Sequence, residues 1–211
     1  MVCSEKLGWR LILDTGNAYI DAHLPEYIHI LKQPSVSAEQ SGLREMANLV
    51  AQTMQSLGID SSVLSSDGAP VVYSEMTGRN SRTVLLYNHY DVQPVDPLSE
   101  WHSPPFMPTE RDGRLYARGV RDNKGDLLVR LAAVAALRAI GEDLPLNIKF
   151  LVKGKRKLTD RLFIHLSVNT ATCSHVICVF RRAVVWTRTV DREFPLVLRG
   201  CSMLNWKRGG R

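Results

Sequence analysis

The sequence predicts an α/β fold in which helices pack on a central sheet. One observation behind this is a set of short runs rich in Val, Ile, Leu and Tyr, each of the length typical of a strand. The other is a long amphipathic helical pattern between two of these runs. Strand, helix and strand in succession imply parallel strands joined by right-handed crossovers. We therefore expect the chemistry at the carboxyl ends of the strands.

Two amphipathic helices open the fold. Apolar residues recur at helical spacing over residues 17–31, and Pro34 closes that segment. A second apolar stripe runs over residues 43–57, with Ser37 as the expected N-cap and Gly58 as the residue that ends the helix. Both stripes are expected to lie in the core.

Four strand-like runs follow, and they begin at Val71, Thr83, Arg114 and Asn147. The long helical pattern lies between the last two runs and ends at Gly141. This order of elements is the basis of the predicted sheet.

Composition narrows the class of protein. The 211 residues are 45% hydrophobic, enough for the core of one domain. No apolar run reaches the roughly 18 residues that a membrane span needs, and too few apolar residues follow Glu5 and Lys6 for a signal peptide. We expect a cytoplasmic protein that does not enter a membrane. The four cysteines have neither zinc-site spacing nor the density of a disulfide framework, which favours reduced thiols.

Charge is distributed unevenly along the chain. Residues 153–211 contain 13 Lys and Arg but only 3 Asp and Glu. The rest of the chain contains 14 Lys and Arg and 18 Asp and Glu. A basic end is typical of nucleic-acid or membrane-surface binding. This one, however, contains Trp186, Trp206 and many aliphatic residues, and it has no nucleic-acid-binding signature. A basic-tailed nucleic-acid-binding module is therefore the alternative that we do not favour.

Acidic and imidazole side chains stand where predicted strands end. His89 and Asp91 follow an apolar run, and strand alternation places both on the same side. Asp91 can then accept one imidazole N–H of His89 while the other nitrogen faces a metal. Asp122 stands just before a helix, where a carboxylate can bridge two metal ions or simply cap the helix. A structural histidine and a helix cap are the alternatives for these residues.

Three segments carry a resemblance to a known family: HYDVQPVDPLSEWHSPPFMP, DGRLYARGVRDNKGD and LNIKFLV. In that order they resemble the co-catalytic zinc metallopeptidases of peptidase family M20, which include carnosine dipeptidases, aminoacylases, acetylornithine deacetylases and succinyl-diaminopimelate desuccinylases. The first segment is most similar to the dipeptidase branch. The resemblance covers residues 13–152. It implies that residues 14–152 are part of an α/β sandwich catalytic domain with a mixed sheet, and that the lid and dimerisation domain is absent.

The resemblance implies a site with two zinc ions. His89 would bind one zinc, Asp122 would bridge both, and Asp91 would support His89. A cis peptide bond would follow Asp122, and Lys124 and Gly125 would be turn and helix-start residues rather than catalysts.

The resemblance also implies what the site acts on. The substrate would be a small peptide or an N-acyl amino acid, hydrolysed by metal-activated water, and relatives form homodimers through the absent domain. Trp101, His102 and Pro104 are expected to shape a loop near the site. Substrate-binding residues stay unassigned.

The family carries Glu-Gly-x-Glu-Glu after the strand that ends near residue 152, and this chain does not. The fourth residue of that motif is the general base and the fifth is a zinc ligand, but Arg156 and Lys157 occupy these places. A guanidinium cannot accept a proton near neutral pH, and an ammonium repels a dication. We therefore expect no general base and at most one weakly bound zinc, and we do not expect His165 or His175 to replace the missing ligands.

A one-base slip of the reading frame near Val152 explains the cations. The family-like string Glu-Gly-Glu-Glu-Glu-Ile, read one base later, gives Lys-Gly-Lys-Arg-Lys-Leu, the residues of 153–158. In the same shifted frame, the codons of residues 205–207 can encode only Leu followed by Glu. These two residues match the start of the family's lid domain. We therefore predict that 153–211 is an out-of-frame tail with no native domain. The chain as written would be a truncated, inactive member of a zinc dipeptidase family, with a non-enzymatic product as the alternative.

Overall fold

The computed structural model describes residues 14–66, 68–140 and 143–155, and the backbones of two further strands, Val176–Phe180 and Ala183–Thr187. Gly141 and most of the predicted out-of-frame tail lie outside the described residues. In the described part, no helix is both long enough and apolar enough to cross a membrane.

The first predicted helix is two helices. Residues 14–22 form α1 and Leu24–Lys32 form α2, with a turn at His23 between them. The break has a local cause, since Pro25 lacks the N–H that would bond to the carbonyl four residues earlier, and its ring clashes with that carbonyl. The apolar spacing continues across the break, which is why the sequence alone indicates one helix.

The helix α3 spans Leu43–Ser56 and begins at a different cap from the one expected. Its N-cap is Gly42, with φ +67°, so the assignment of Ser37 was wrong. The main chains of Val36 and Ser41 bond to each other across a tight turn, and this delays the helix. Gly58 follows the helix at φ +71°, as predicted for the residue that ends it.

The main sheet is mixed and has the strand order β1-β2-β6-β3-β7-β8. The strands β3 and β6 are parallel and joined through α4, whereas β2 runs antiparallel to β6. This mixed α/β sheet confirms the predicted fold class. The strand and helix bounds are β1 Ser62–Leu64, β2 Val71–Met76, β3 Thr83–His89, β4 Thr109–Arg111, β5 Arg114–Tyr116, α4 Lys124–Ala139, β6 Asn147–Lys153, β7 Val176–Phe180 and β8 Ala183–Thr187.

The run that begins at Arg114 is a strand, but it is not part of the main sheet. It forms β5, which pairs only with β4 in a separate two-stranded hairpin. Asp112 and Gly113 make the turn, both at positive φ, the geometry that an Asp-Gly turn favours in a tight hairpin. The crossover through α4 therefore starts from β3, and the run at Arg114 belongs to the connection between them.

One face of the sheet packs on α3 and α4 to form the core. Alternate residues of β6 contribute to this cluster, and α4 contributes a stripe of leucines and small residues. The fully buried members of the cluster include Met46, Val50, Met54, Leu127, Leu131 and Phe150. This packing fixes the carboxyl ends of β3 and β6 beside the start of α4.

Two segments of the predicted out-of-frame tail extend the sheet. The strand β7 pairs in parallel with β3, and β8 pairs antiparallel with β7. These are two five-residue segments, and the other residues beyond 155 lie outside the described part. The predicted boundary at residue 152 therefore stays a prediction, although β6 itself continues one residue past it, to Lys153.

Candidate metal centre

His89 lies between two carboxylates at the carboxyl end of β3. Its Nδ1 atom is 3.2 Å from Asp91 Oδ1 and 3.1 Å from the Asp91 carbonyl oxygen. Its Nε2 atom is 3.1 Å from Asp122 Oδ1. The structure thus brings together the three residues that the sequence singled out.

Asp91 is positioned to orient the imidazole of His89. The residue is 3% exposed, so its carboxylate and main-chain oxygen meet Nδ1 in a dry environment. Oxygen acceptors on Nδ1 hold the proton there and leave Nε2 with a free lone pair. A histidine held in this way presents Nε2 as the metal-binding atom.

Asp122 lies directly before α4 and is more open to solvent, with its side chain 40% exposed. The N-cap position of α4 is Asn123, so Asp122 does not have the helix-capping place that was its structural alternative. The peptide bond between Asp122 and Asn123 is cis, as the family resemblance implied. Gly125 has no room for a Cβ because the carbonyl of Val120 lies against it, so this turn needs glycine.

The spacing of the donor atoms fits a single metal ion. A nitrogen and an oxygen bound to one tetrahedral zinc at about 2.0–2.2 Å each would lie about 3.4 Å apart. The Nε2 atom of His89 and Oδ1 of Asp122 are 3.1 Å apart, close to that separation. An imidazole and a carboxylate are both ordinary zinc ligands. The metal-binding roles of His89 and Asp122 remain predictions that this geometry supports.

Within the described ranges, no group of three or more His, Cys, Asp or Glu side chains is arranged to hold a metal ion. If they bind zinc as predicted, His89 and Asp122 would supply two of the four ligands that zinc usually takes. Arg156 and Lys157, at the places of the missing glutamates, and His165 and His175 lie outside the described residues.

The end of β6 lies beside the centre. Lys153 is the register partner of His89 in the parallel pairing of β3 and β6, and it is 3% exposed. Lys153 therefore stands at the carboxyl end of β6, at the position where the resemblance implies the first glutamate of the family motif. Gly154 follows, tight against the Tyr90 hydroxyl and the Ala69 side chain.

Lys124 is the first residue of α4, as expected of a helix-start residue, but it is also completely buried. Its Nζ atom donates to the carbonyls of Gln33 at 2.6 Å and Ile30 at 3.3 Å, at the end of α2. Burial lowers the pKa of Lys124 to about 7. This residue ties the start of α4, next to Asp122, to the helical layer.

The loop between β3 and β4 contacts the start of α4, and the predicted part of Trp101, His102 and Pro104 in shaping the site stays a prediction. The indole of Trp101 donates to the carbonyl of Val95 at 2.8 Å, and the guanidinium of Arg118 stacks 4.8 Å above its ring. The ring centre of Phe106, in the same loop, lies 6.0 Å from Lys124 Nζ. The loop therefore reaches the first turn of α4, two residues from Asp122.

Sequence reasoning missed the polar side chains behind the centre. Asn88, Asn123 and Arg130 form a buried hydrogen-bonded chain between β3 and α4. The signal in the sequence was an asparagine at an inward position of an otherwise apolar strand, where a polar side chain needs a partner.

The sequence profile of peptidase family M20/M25/M40 matches residues 85–155. This match includes all three residues of the candidate centre. The N-terminal part of the chain is homologous to the M20 peptidases. The resemblance found in the sequence is thereby confirmed for that part.

Two curated relatives are dipeptidases. The chain is 38% identical over 165 residues to the Beta-Ala-His dipeptidase of Homo sapiens, a match that covers 68% of this chain and 32% of that protein. It is 32% identical over 164 residues to the Cys-Gly metallodipeptidase of Schizosaccharomyces pombe, covering 69% of this chain and 34% of that protein. The chain thus spans about a third of the length of these relatives.

Solved structures of M20 proteins share the fold. An M20 family metallo-carboxypeptidase from Sulfolobus solfataricus superposes with a TM-score of 0.69 at 39% identity, covering 76% of this chain and 37% of that one. Human carnosine dipeptidase 1 superposes with a TM-score of 0.64 at 29% identity, covering 80% of this chain and 41% of that one. The described α/β unit therefore corresponds to part of such a protein. The family is one of metal-dependent hydrolases, which implies a divalent metal, typically zinc.

Proposed function

We propose that this chain carries one half of the metal centre of an M20-type dipeptidase. The reaction of the complete centre is hydrolysis of a peptide or N-acyl amide bond in a small substrate. The observation that supports it best is the position of His89, with Nδ1 on Asp91 and Nε2 3.1 Å from Asp122.

Each residue has a distinct part in this proposal. His89 and Asp122 would hold the metal, and the Asp122 side chain, which is 40% exposed, could also reach a second ion. Asp91 keeps the His89 proton on Nδ1. When bound, the metal supplies Lewis-acid polarisation of the scissile carbonyl and a lowered pKa for water.

The relatives indicate the substrate class. They are a Beta-Ala-His dipeptidase and a Cys-Gly metallodipeptidase, so we propose a dipeptide or a similarly small N-acyl amino acid as the substrate. We also propose a cytoplasmic location and a homodimer for the complete enzyme.

A second candidate is that the chain as written is a catalytically silent product. Lys153 supports it, because this cation stands in register with His89 at the edge where the family places acidic side chains. In this case the described domain folds and binds at most one zinc weakly. It lacks the glutamate base and does not hydrolyse a peptide substrate.

Zinc binding to the purified 211-residue chain tests the proposed centre. We expect at most one zinc per chain by competition titration, and we expect His89→Ala and Asp122→Ala each to weaken it by about tenfold or more, because each removes a ligand. His23→Ala is the matched control, since the His23 ring bonds to the carbonyl of Tyr19 and stacks on the Tyr19 ring, in α1. Undiminished zinc affinity in both site variants would contradict the proposed centre.

Hydrolysis of Beta-Ala-His and Cys-Gly with added zinc separates the two candidates. A silent product shows no turnover above a zinc blank although His89 is needed for binding. Turnover that is lost in His89→Ala would favour the active enzyme and would contradict the silent product.

A further inference from the structure

Behind the candidate centre, side chains of β3 and α4 form one continuous polar network. Asn123 Oδ1 accepts from Asn88 Nδ2 at 2.6 Å and from the main-chain N–H of His89 at 3.2 Å. Asn123 Nδ2 donates to Asp126 Oδ2 at 2.9 Å. Arg130 Nη1 donates to Asn88 Oδ1 at 2.8 Å and to the carbonyl of Tyr87 at 2.7 Å.

The middle of the network is dry, whereas Asp126 and Arg130 at its ends are partly buried. Asn88 and Asn123 are each 1% exposed, so water cannot replace a bond that is lost. The amide of Asn123 uses both lone pairs of its oxygen on β3 and directs its nitrogen at α4. An asparagine can do both because it has an acceptor and a donor at one end of a short side chain.

In the described part of the chain, the acceptor of the His89 N–H is the side-chain oxygen of Asn123 and not a strand carbonyl. The N–H of Tyr90 bonds to the carbonyl of Lys153 on β6. Since successive N–H groups of a strand point to opposite sides, the N–H of His89 points away from β6. The recorded pairing of β3 with β7 ends at Leu86, three residues earlier. Asn123 Oδ1 takes the place that a strand carbonyl would have.

A helix packed on a strand has no main-chain bonds to it, because its own backbone groups bond along the helix. Apolar packing holds the two together but has little direction, so directional registration must come from side chains. The network provides directional bonds between β3 and α4 next to the candidate centre. Asn123 directly follows Asp122 and accepts from the main-chain N–H of His89.

We propose that Asn123 is a positioning residue, which sets the separation of His89 and Asp122 through its bonds to the His89 N–H and to Asn88. This inference rests on the proposed function, because the separation matters only if both side chains bind one metal. Asn88 and Arg130 hold Asn123 in the orientation that it needs. None of the three touches the metal or the substrate in this role.

Substitution of Asn123 in the full chain tests the inference with two measurements. The first is zinc affinity, which we expect to fall about tenfold in Asn123→Ala, as for other residues that orient metal ligands. Asn123→Asp keeps an oxygen that can accept from Asn88 and from the His89 N–H and loses only the donation to Asp126, so we expect its zinc affinity to stay within about threefold of the parent chain. The second is hydrogen exchange of the His89 amide in the metal-free chain, which we expect to speed up about tenfold in Asn123→Ala.

Asn147→Ala is the matched control. Asn147 bonds to the Gly78 N–H at 2.8 Å and to Thr83, at the opposite end of β3. We expect this variant to lower the unfolding temperature but to leave both zinc affinity and His89 exchange within twofold of the parent chain. Effects of equal size in Asn147→Ala and Asn123→Ala would overturn the inference, because they would show general loosening.

The outcomes separate this inference from the proposed function. If the parent chain binds no zinc, or if His89→Ala binds as tightly as the parent, the proposed centre is wrong. The exchange of the His89 amide in Asn123→Ala then still decides whether Asn123 holds β3 to α4. Unchanged exchange together with unchanged zinc affinity in Asn123→Ala would refute the positioning role.

Discussion

Lys124 shows how one buried charge makes stability depend on pH. The residue is fully buried, and burial lowers the pKa of its ammonium from 10.5 to about 7. In the unfolded chain the pKa of Lys124 returns to its ordinary value of 10.5. Between pH 7 and this value, the unfolded state therefore binds more protons than the folded state. The free energy of unfolding therefore rises with pH from about 7 towards 10, by about 1 kcal/mol per unit, and this gain is absent below pH 7.

We expect Lys124→Met to remove that slope. Methionine has similar length and no charge, although it loses the bonds to the carbonyls of Ile30 and Gln33. Urea unfolding of both proteins at pH 7, 8 and 9 gives the difference in unfolding free energy at each pH, and groups that titrate in both proteins cancel in it. A difference that stays constant within about 0.5 kcal/mol across this range would contradict the lowered pKa.

At the scale of single residues, the sequence predicted what is local and missed what depends on burial. His89 and Asp91 are two residues apart, and strand alternation alone predicts that they meet. The burial of Lys124 and the pairing of Asn88 with Asn123 involve partners 35 to 94 residues away. No periodicity or capping pattern contains that information, so the network became visible only in the folded chain.

At the scale of elements, Gly154 limits how β6 can end. A Cβ at this position would meet the Tyr90 hydroxyl and the Ala69 side chain. Tyr90 is fully buried and donates to the carbonyl of Pro70 at 2.6 Å, so it cannot move aside cheaply. The close approach of β6, the segment after β3 and the start of β2 therefore depends on a residue without a side chain.

We expect Gly154→Ala to lower the free energy of unfolding by about 1–3 kcal/mol, because the added methyl overpacks this contact. Gly16→Ala is the matched control. Gly16 lies in α1 with nothing within 4 Å of the added Cβ, so alanine there should stabilise the helix by about 0.5–1 kcal/mol. Equal effects of the two substitutions in thermal or urea unfolding would show that the contact at Tyr90 is not restrictive.

Element type was easier to predict than element ends and partners. The strands at Val71, Thr83 and Asn147 and the helix between residues 124 and 139 follow directly from apolar spacing. The break at Pro25 and the start of α3 at Gly42 depend on main-chain geometry that apolar spacing does not encode. The run at Arg114 has strand composition, but only its pairing with β4 shows that it is a hairpin outside the main sheet.

At the scale of the whole molecule, Gly154 is the second residue of the predicted out-of-frame tail and lies against Tyr90 and Ala69 of the described domain. The codons that convert Glu-Gly-Glu-Glu-Glu-Ile into the residues of 153–158 read glycine at position 154 in both frames. The contact with Tyr90 needs glycine there. A one-base slip after Val152 would thus keep the glycine with which the end of β6 packs. The same slip would replace the acidic residues before and after Gly154 by basic ones.

The reversal of charge at the end of β6 leads to a prediction for the whole site. We expect a chain with Lys153, Lys155, Arg156 and Lys157 all replaced by Glu to bind zinc at least about tenfold more tightly than the chain as written, because carboxylates would replace cations at and after Lys153, the register partner of His89. The same four positions replaced by Ala form the control, since they remove the repulsion without adding ligands. Isothermal titration of zinc into the three proteins measures the effect.

The glutamate and alanine variants distinguish a ligand set from simple relief of repulsion. If both bind zinc equally tightly, the four positions are not the place of missing ligands, and the frame slip loses its chemical support. Sequencing the transcript across codons 150–155 is the independent check. An intact frame that encodes Lys153 to Lys157, together with dipeptide hydrolysis by the unaltered chain, would refute the slip, because the chemistry would then proceed with cations where the family places its base and ligand.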